Sequence, residues 1–251
     1  VQVESEASQY IPFAIDEVNL DFQVLGPSAN SEDSVDVLLA ASRKEKVDDR
    51  VMVAELAGLK PVIIDVEPYA ARISIDSIIS QLPAGGEGLI LAVFDIGQTA
   101  TRLSVVYNGQ TIFEREQPFG GSKLTQEIVR LYGLTVEEAE LKKRTGDLPE
   151  NYTTELLHPF VEEGATELAR SLQFFFSSTP YERVDRIFLA GGAAVTPGLA
   201  EAVLQKTSVT TEILSPFQGM EIGDSISEKQ MNLDAPALLV SCGLAMRRFD
   251  Q

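Results

Sequence analysis

Two apolar strands that run straight into glycine turns constrain this chain more than any other feature. The first is Val93-Phe94-Asp95-Ile96-Gly97-Gln98-Thr99-Ala100-Thr101. An apolar strand ends in Asp95, passes a tight turn at Gly97 and continues through hydroxyl residues. Such a turn can aim backbone N–H groups and the Thr99 or Thr101 hydroxyl at a phosphate, with Asp95 holding a hydrated Mg²⁺ beside it. The second is Ile187-Phe188-Leu189-Ala190-Gly191-Gly192-Ala193-Ala194-Val195-Thr196-Pro197. Without Cβ atoms, that backbone admits a flat base or sugar at close range. Each turn alone has an ordinary explanation: Asp-x-Gly at a hairpin start is more often only a turn, and Gly-Gly often only joins a strand to a helix. Together, in this order and separated by helices, they become specific.

The surrounding pattern is strands alternating with helices, which indicates α/β. Val18 to Leu25 alternates apolar with polar and reads as a half-buried strand. Val35 to Ala41 reads as a second strand, and about Arg43 to Ala57 as a helix that Gly58 ends. Pro61 to Val66 is continuously apolar, as in a strand buried on both faces. Pro83-Ala84-Gly85-Gly86-Glu87-Gly88 is the best linker candidate, so two lobes would join near residue 67 or residue 85. Asn108-Gly109 predicts a two-residue hairpin turn between Arg102–Tyr107 and Thr111–Gln117. Thr135 with Glu138 forms a capping box, and Gly146 stops that helix. A long helix covers roughly Asn151 to Ser177, which Pro159 either kinks or starts. Strands follow at Arg186–Ala190 and Val209–Leu214. Thr196-Pro197 opens a helix between them, and an apolar helix runs from about Asp234 to Arg248.

Composition then removes whole classes of function. The 251 residues suit one large domain or two modest ones. No apolar run is long enough to span a bilayer. One cysteine, Cys242, excludes an internal disulfide framework, and one histidine, His158, excludes His-rich metal sites. The formal charge of -18 argues against binding nucleic acid and against adhering unaided to an anionic membrane. His158 reads as a surface or helix-start residue, Cys242 as core, and Phe174-Phe175-Phe176 as packing. The chain opens at Val1 without an initiator Met, as a fragment or a processed form would.

The two glycine turns, read in order with the rest, carry a family resemblance. The residues are Tyr10-Ile11-Pro12-Phe13-Ala14-Ile15-Asp16-Glu17-Val18, Asp65-Val66-Glu67-Pro68, Phe94-Asp95-Ile96-Gly97, Gly120-Gly121-Ser122-Lys123-Leu124-Thr125, Arg170-Ser171-Leu172-Gln173-Phe174-Phe175-Phe176, Gly191-Gly192-Ala193 and Gly243-Leu244-Ala245-Met246-Arg247. This ordered set resembles the PilM family, the FtsA-like cytoplasmic proteins of bacterial type IV pilus assembly. The resemblance implies an actin-like/Hsp70-like (ribonuclease H-like) two-lobed ATPase fold with an FtsA-type extra subdomain. It implies ATP and Mg²⁺ as cofactors. Asp95, Gly97 and Thr99 match the second phosphate loop, with Asp95 reaching Mg²⁺ through water. Gly191, Gly192 and Ala193 match the adenosine loop, and Gly120 and Gly121 lie near the nucleotide. Glu140 and Lys143 match the helix that touches ribose and base, and their i, i+3 spacing puts them on one helix face; a surface ion pair is the alternative reading. Glu67 lies in the segment connecting the lobes, where relatives order the attacking water.

By the same resemblance, residues 1–85 are a remnant of the first lobe including the extra subdomain. Residues 86–234 are the second lobe with the nucleotide loops, and residues 235–251 are a helix returning to the first lobe. The fold's first phosphate loop is not found before Glu67, so the resemblance implies a chain without its front end, an incomplete first lobe and at most weak ATPase activity. An uncovered sheet edge makes dimerisation or strand exchange an expectation. The implied role is a scaffold at the cytoplasmic face of the inner membrane. It would bind the cytoplasmic N-terminal tail of a PilN-like membrane protein through Ile11, Phe13 and Val18, and work with other pilus assembly components. The alternatives are an FtsA-like cell-division or type II secretion scaffold, or an active ATPase or sugar kinase of the actin superfamily.

Overall fold

The computed structural model describes residues 2–28 and 34–247. By packing, the chain divides into Val1–Val66 and Glu67–Gln251. Of the two joints anticipated, the division falls at the one near residue 67. Pro83–Gly86 is a 3₁₀ turn inside the second unit, with Gly86 buried, rather than a linker.

The first unit holds a short helix α1 (Gln2–Ala7), strands β1 (Val18–Pro27) and β2 (Val35–Arg43), and helix α2 (Lys44–Leu56). The two strands form an antiparallel ribbon with a bulge between Val24 and Gly26. Gly58, at φ +75°, follows the helix as expected. Pro61–Val66 is not a strand. Among the described residues of this unit no strand hydrogen-bonds to it, and Val62, Ile63, Ile64 and Val66 are exposed. An apolar run becomes a strand only where a ladder satisfies its backbone.

The second unit is built on a five-stranded sheet in the order β5-β4-β3-β6-β7. Its strands are β3 (Ile90–Ile96), β4 (Thr101–Tyr107), β5 (Gln110–Gln117), β6 (Arg186–Ala190) and β7 (Thr211–Ile213). The first three form an antiparallel meander, while β6 and β7 add in parallel. Asn108 (φ 46°) and Gly109 (φ 72°) make the two-residue turn their sequence predicts.

Both faces of this sheet are covered, and β3 shows how its sequence produces that. Ile90, Ala92, Phe94 and Ile96 point into one core with α4 (Ser122–Tyr132), α5 (Val136–Thr145), α6 (His158–Ser178) and α7 (Leu199–Thr207). Leu91 and Val93 point into the other, with α3 (Glu67–Ile79) and α9 (Leu239–Met246). A period of two with apolar residues at every position but Asp95 places both sets in cores. Helices α3 and α9 touch backbone to backbone: a Cβ on Gly243 would lie 1.7 Å from the Ala70 carbonyl oxygen. Beside that contact the buried Ser74 hydroxyl donates to the Leu239 carbonyl at 2.7 Å.

Helix ends follow their chemistry in most places. The Thr135–Glu138 capping box is formed and Gly146 terminates α5 in the left-handed region. Pro159 stands in the first turn of α6, after a π turn over Thr153–Leu157, so it marks the start of that helix. His158 is exposed and Cys242 is 5% exposed in core; of the three phenylalanines Phe175 is fully buried, whereas Phe174 is exposed under the Arg115 guanidinium. Two expectations need correction. Helix α7 begins at Leu199 after Gly198, because the Thr196 hydroxyl bonds back to the Ala193 carbonyl at 2.7 Å instead of capping. The final helix is broken: α8 (Glu228–Asp234) gives way to a 3₁₀ turn over Ala235–Leu238, where Pro236 stands in the first turn, before α9.

Candidate functional site

Strands β3 and β6 are adjacent and parallel, with Asp95 opposite Ala190. The two glycine turns therefore leave the same end of the sheet side by side, where ligands bind in open α/β sheets. The Ala193 amide donates to the Ile96 carbonyl at 3.1 Å, tying one turn to the other. The Gly97 amide closes its own turn onto the Ala100 carbonyl at 2.9 Å, and the Gly121 amide reaches the Gly97 carbonyl at 3.0 Å. The sequence-predicted residues Asp95, Gly97, Thr99, Gly120, Gly121, Gly191, Gly192 and Ala193 are thus brought into one cluster.

The glycines in it do different work. A Cβ on Gly191 would lie 2.4 Å from the Ile96 carbonyl and 2.5 Å from Asp95 Oδ1, and one on Gly120 would lie 2.4 Å from the Gln98 carbonyl. These two glycines let protein approach protein. Gly192 is exposed, and a Cβ there would meet only the Ala237 Cβ, at 3.9 Å. Its bare backbone faces open space, which is what a flat ligand needs. Thr99 is exposed in the first turn. Thr101 is not a candidate phosphate ligand: it is fully buried and its hydroxyl donates to the Phe119 carbonyl at 2.6 Å.

Asp95 is largely buried, and loss of water raises its pKa above the usual carboxylate value; Glu67 adds to the rise and Arg102 opposes it. Arg102 stands opposite Asp95 across the β3–β4 ladder. It pairs with Glu67 at 3.6 Å and with Glu116 at 3.0 Å. Sequence reasoning missed Arg102. Counting back from the Asn108-Gly109 turn sets Arg102 against Arg115, but an irregularity between Val105 and Val106 shifts the ladder by one and presents Glu116. Among the described residues no group of three or more His, Cys, Asp or Glu could enclose a metal ion. A single desolvated carboxylate beside a glycine turn fits a cation that keeps its water shell rather than one caged by protein.

Glu140 and Lys143 do pair on one face of α5, at 2.8 Å. The structure adds Thr125 of α4, which sequence reasoning had quoted without a role. Lys143 donates to its hydroxyl at 2.6 Å, and that hydroxyl also bonds to Glu140 and to the Gly121 carbonyl. Burial alone would raise the Glu140 pKa, but hydrogen bonds from Lys143 and Thr125 outweigh it and hold the carboxyl below its ordinary value. Thr125 lies four residues after Gly121, so the pair on α5 is anchored to the glycine cluster. The signal available in the sequence was a threonine one helical turn beyond Gly-Gly.

The expected partner residues belong to the first unit. Phe13 is 49% exposed, with the Arg43 guanidinium 5.7 Å from its ring centre. Ile11 is half-buried. Val18 is corrected: at 5% exposure it starts β1 as a core residue and offers no surface.

Among the described residues no helix is long and apolar enough to cross a membrane. The chain matches the profile of the family described as type IV pilus assembly protein PilM over residues 1–249. It is similar to a solved PilM–PilN type IV pilus biogenesis complex, at 30% identity and TM-score 0.76, over 98% of this chain and 70% of that one. It is also similar to the ethanolamine utilization protein EutJ from Carboxydothermus hydrogenoformans, at 19% identity and TM-score 0.57, over 82% of this chain and 62% of that one. A third likeness is to MreB 5 of Spiroplasma citri bound to AMPPNP, at 16% identity and TM-score 0.51, over 82% of this chain and 64% of that one. The last two establish the fold, which is actin-like. The profile match across nearly the whole sequence establishes more: this chain belongs to the PilM family of type IV pilus assembly proteins.

Proposed function

We propose that this chain is an actin-like, nucleotide-holding scaffold of the type IV pilus assembly platform. Its partner is the cytoplasmic tail of a PilN-like protein anchored in the inner membrane. The observation that carries the nucleotide part is the meeting of both glycine turns at Asp95, with the Gly192 backbone left open. In this reading Gly97 and Thr99 meet phosphate, and Asp95 faces a hydrated Mg²⁺. Gly192 and Ala193 lie against the base of ATP, and Glu140 with Lys143 takes the ribose hydroxyls. Gly120 and Gly121 shape the floor. A carboxylate that accepts and an ammonium that donates suit a vicinal diol. Glu67, the candidate for ordering an attacking water, is exposed and engaged with Arg102, which supports at most weak hydrolysis. The partner part is supported by the likeness to a solved PilM–PilN complex and by the exposed Phe13. The charge of -18 fits a protein that reaches the membrane through a partner on its cytoplasmic face.

Isothermal titration of Mg·ATP into the wild type, Asp95→Ala and Gly192→Arg tests the site. Each substitution should weaken binding at least about tenfold, since one removes the cation's carboxylate and the other fills the open space over the turn. Unchanged affinity in both would sink the assignment. A peptide copying a PilN cytoplasmic tail should bind, and Phe13→Asp should weaken it. No binding to the wild type removes the scaffold reading.

A further inference from the structure

The contacts around the glycine cluster close into a ring. Gly191 packs on Asp95, Asp95 leads into the Gly97 turn, and the Gly97 carbonyl accepts the Gly121 amide at 3.0 Å. One helical turn on, Thr125 accepts from Lys143 at 2.6 Å. The next residue, Arg144, bridges 90 positions along the chain to Asp234, Nη2 to Oδ1, at 2.7 Å. Two residues later the Pro236 carbonyl accepts the Gly191 amide at 2.7 Å and returns to the start. Gly192 and Ala237, both exposed, stand side by side next to the closing link: a Cβ on Gly192 would lie 3.9 Å from the Ala237 Cβ.

The links are unequal. Most are backbone hydrogen bonds, close backbone contacts or the buried Thr125 network. The Arg144–Asp234 link joins two side chains that are 63% and 40% exposed. Asp234 is held in place, because its other oxygen accepts from Gln230 at 2.6 Å within α8. Arg144 is a long side chain at the last turn of α5 and can swing away. An exposed ion pair of this kind biases an equilibrium by up to about fivefold, enough to slow an opening without sealing it.

We infer that Arg144 and Asp234 form a strap across the mouth of the nucleotide cleft, and that its opening sets how fast a nucleotide leaves. The inference rests on the nucleotide reading above. It gives these two residues a positioning role without contact to the reacting phosphates.

The test is release of radiolabelled ATP·Mg from the full chain, chased with excess unlabelled ATP. Arg144→Glu and Asp234→Arg should each release label about three- to fivefold faster. The double variant, with the charges exchanged, should return toward the wild-type rate. Wild-type release rates in both single variants would overturn the strap. So would faster release in the single variants that the double variant fails to restore, because the residues would then act separately. Wild-type chain that holds no ATP removes the nucleotide reading, and the strap with it. Melting temperatures within a few degrees of wild type in all three variants separate strap opening from unfolding.

Discussion

The five-stranded sheet of the second unit is covered on both faces, whereas the β1–β2 ribbon of the first is barely covered. In the second unit Leu91, Phe94, Ile96, Leu103, Ile187 and Leu189 are each no more than 1% exposed. In the first, Phe22, Val24, Leu25, Val35, Met52, Val53, Leu56 and Val62 all stand in the open, and Ala7 and Val18 are the buried apolar residues among those described. Both segments are rich in apolar side chains. The difference lies in what each can pack against. A two-stranded ribbon with one long and one short helix cannot enclose a core, while five strands between two helical layers can. Local sequence produces the same kind of strand in both units; only layering turns a strand into a core.

That contrast can be broken at its strongest point. Phe94→Ala should cost about 3–5 kcal/mol, because the ring is fully buried and its neighbours cannot collapse onto the space. Phe22→Ala, at 48% exposure in β1, should cost under about 1 kcal/mol. Urea titration of both variants checks the pair; equal losses would mean that the first unit has a core after all.

Next in size is Gly243→Ala. Its new methyl would overlap the Ala70 carbonyl, so α3 and α9 must part, at a cost of about 3 kcal/mol, the upper end for overpacking. A thermal melt unchanged from wild type would show that the two helices are not locked together. Met52→Ala in exposed α2 is the counterpart, with an expected change within about 0.5 kcal/mol.

A smaller effect sharpens the comparison through charge. Glu140→Gln removes a carboxylate whose pKa lies below the ordinary value. A depressed carboxylate pKa contributes stability that is present above the unfolded pKa and lost as pH falls through the folded one. The variant should therefore melt lower than wild type at neutral pH, by no more than about 1 kcal/mol given the partial exposure. The gap should close in acid, below the usual glutamate range. A pH-independent gap would mean that the amide disturbs packing instead.

Much of the second unit was legible because its signals are local. The Asn108-Gly109 turn, the Thr135–Glu138 box and the Gly146 stop each act within a few residues, and all formed as read. Pro61–Val66 misled because apolarity marks a segment able to pair but says nothing about whether a partner strand is there. Thr196 misled because a hydroxyl can donate back to a preceding carbonyl instead of accepting from a helix amide, and here it donates to the Ala193 carbonyl.

The sequence by itself determined the α/β alternation, the two glycine turns and the ordered set of motifs that assigns the PilM family, since these depend on residue type and spacing alone. Tertiary structure decided which glycine faces open space and which faces protein, because that depends on what lies within about 4 Å of a missing Cβ. It set Glu116 against Arg102, through a one-residue shift in a ladder. It also brought Arg144 to Asp234 across 90 positions of chain, where nothing in the sequence near either residue names the other.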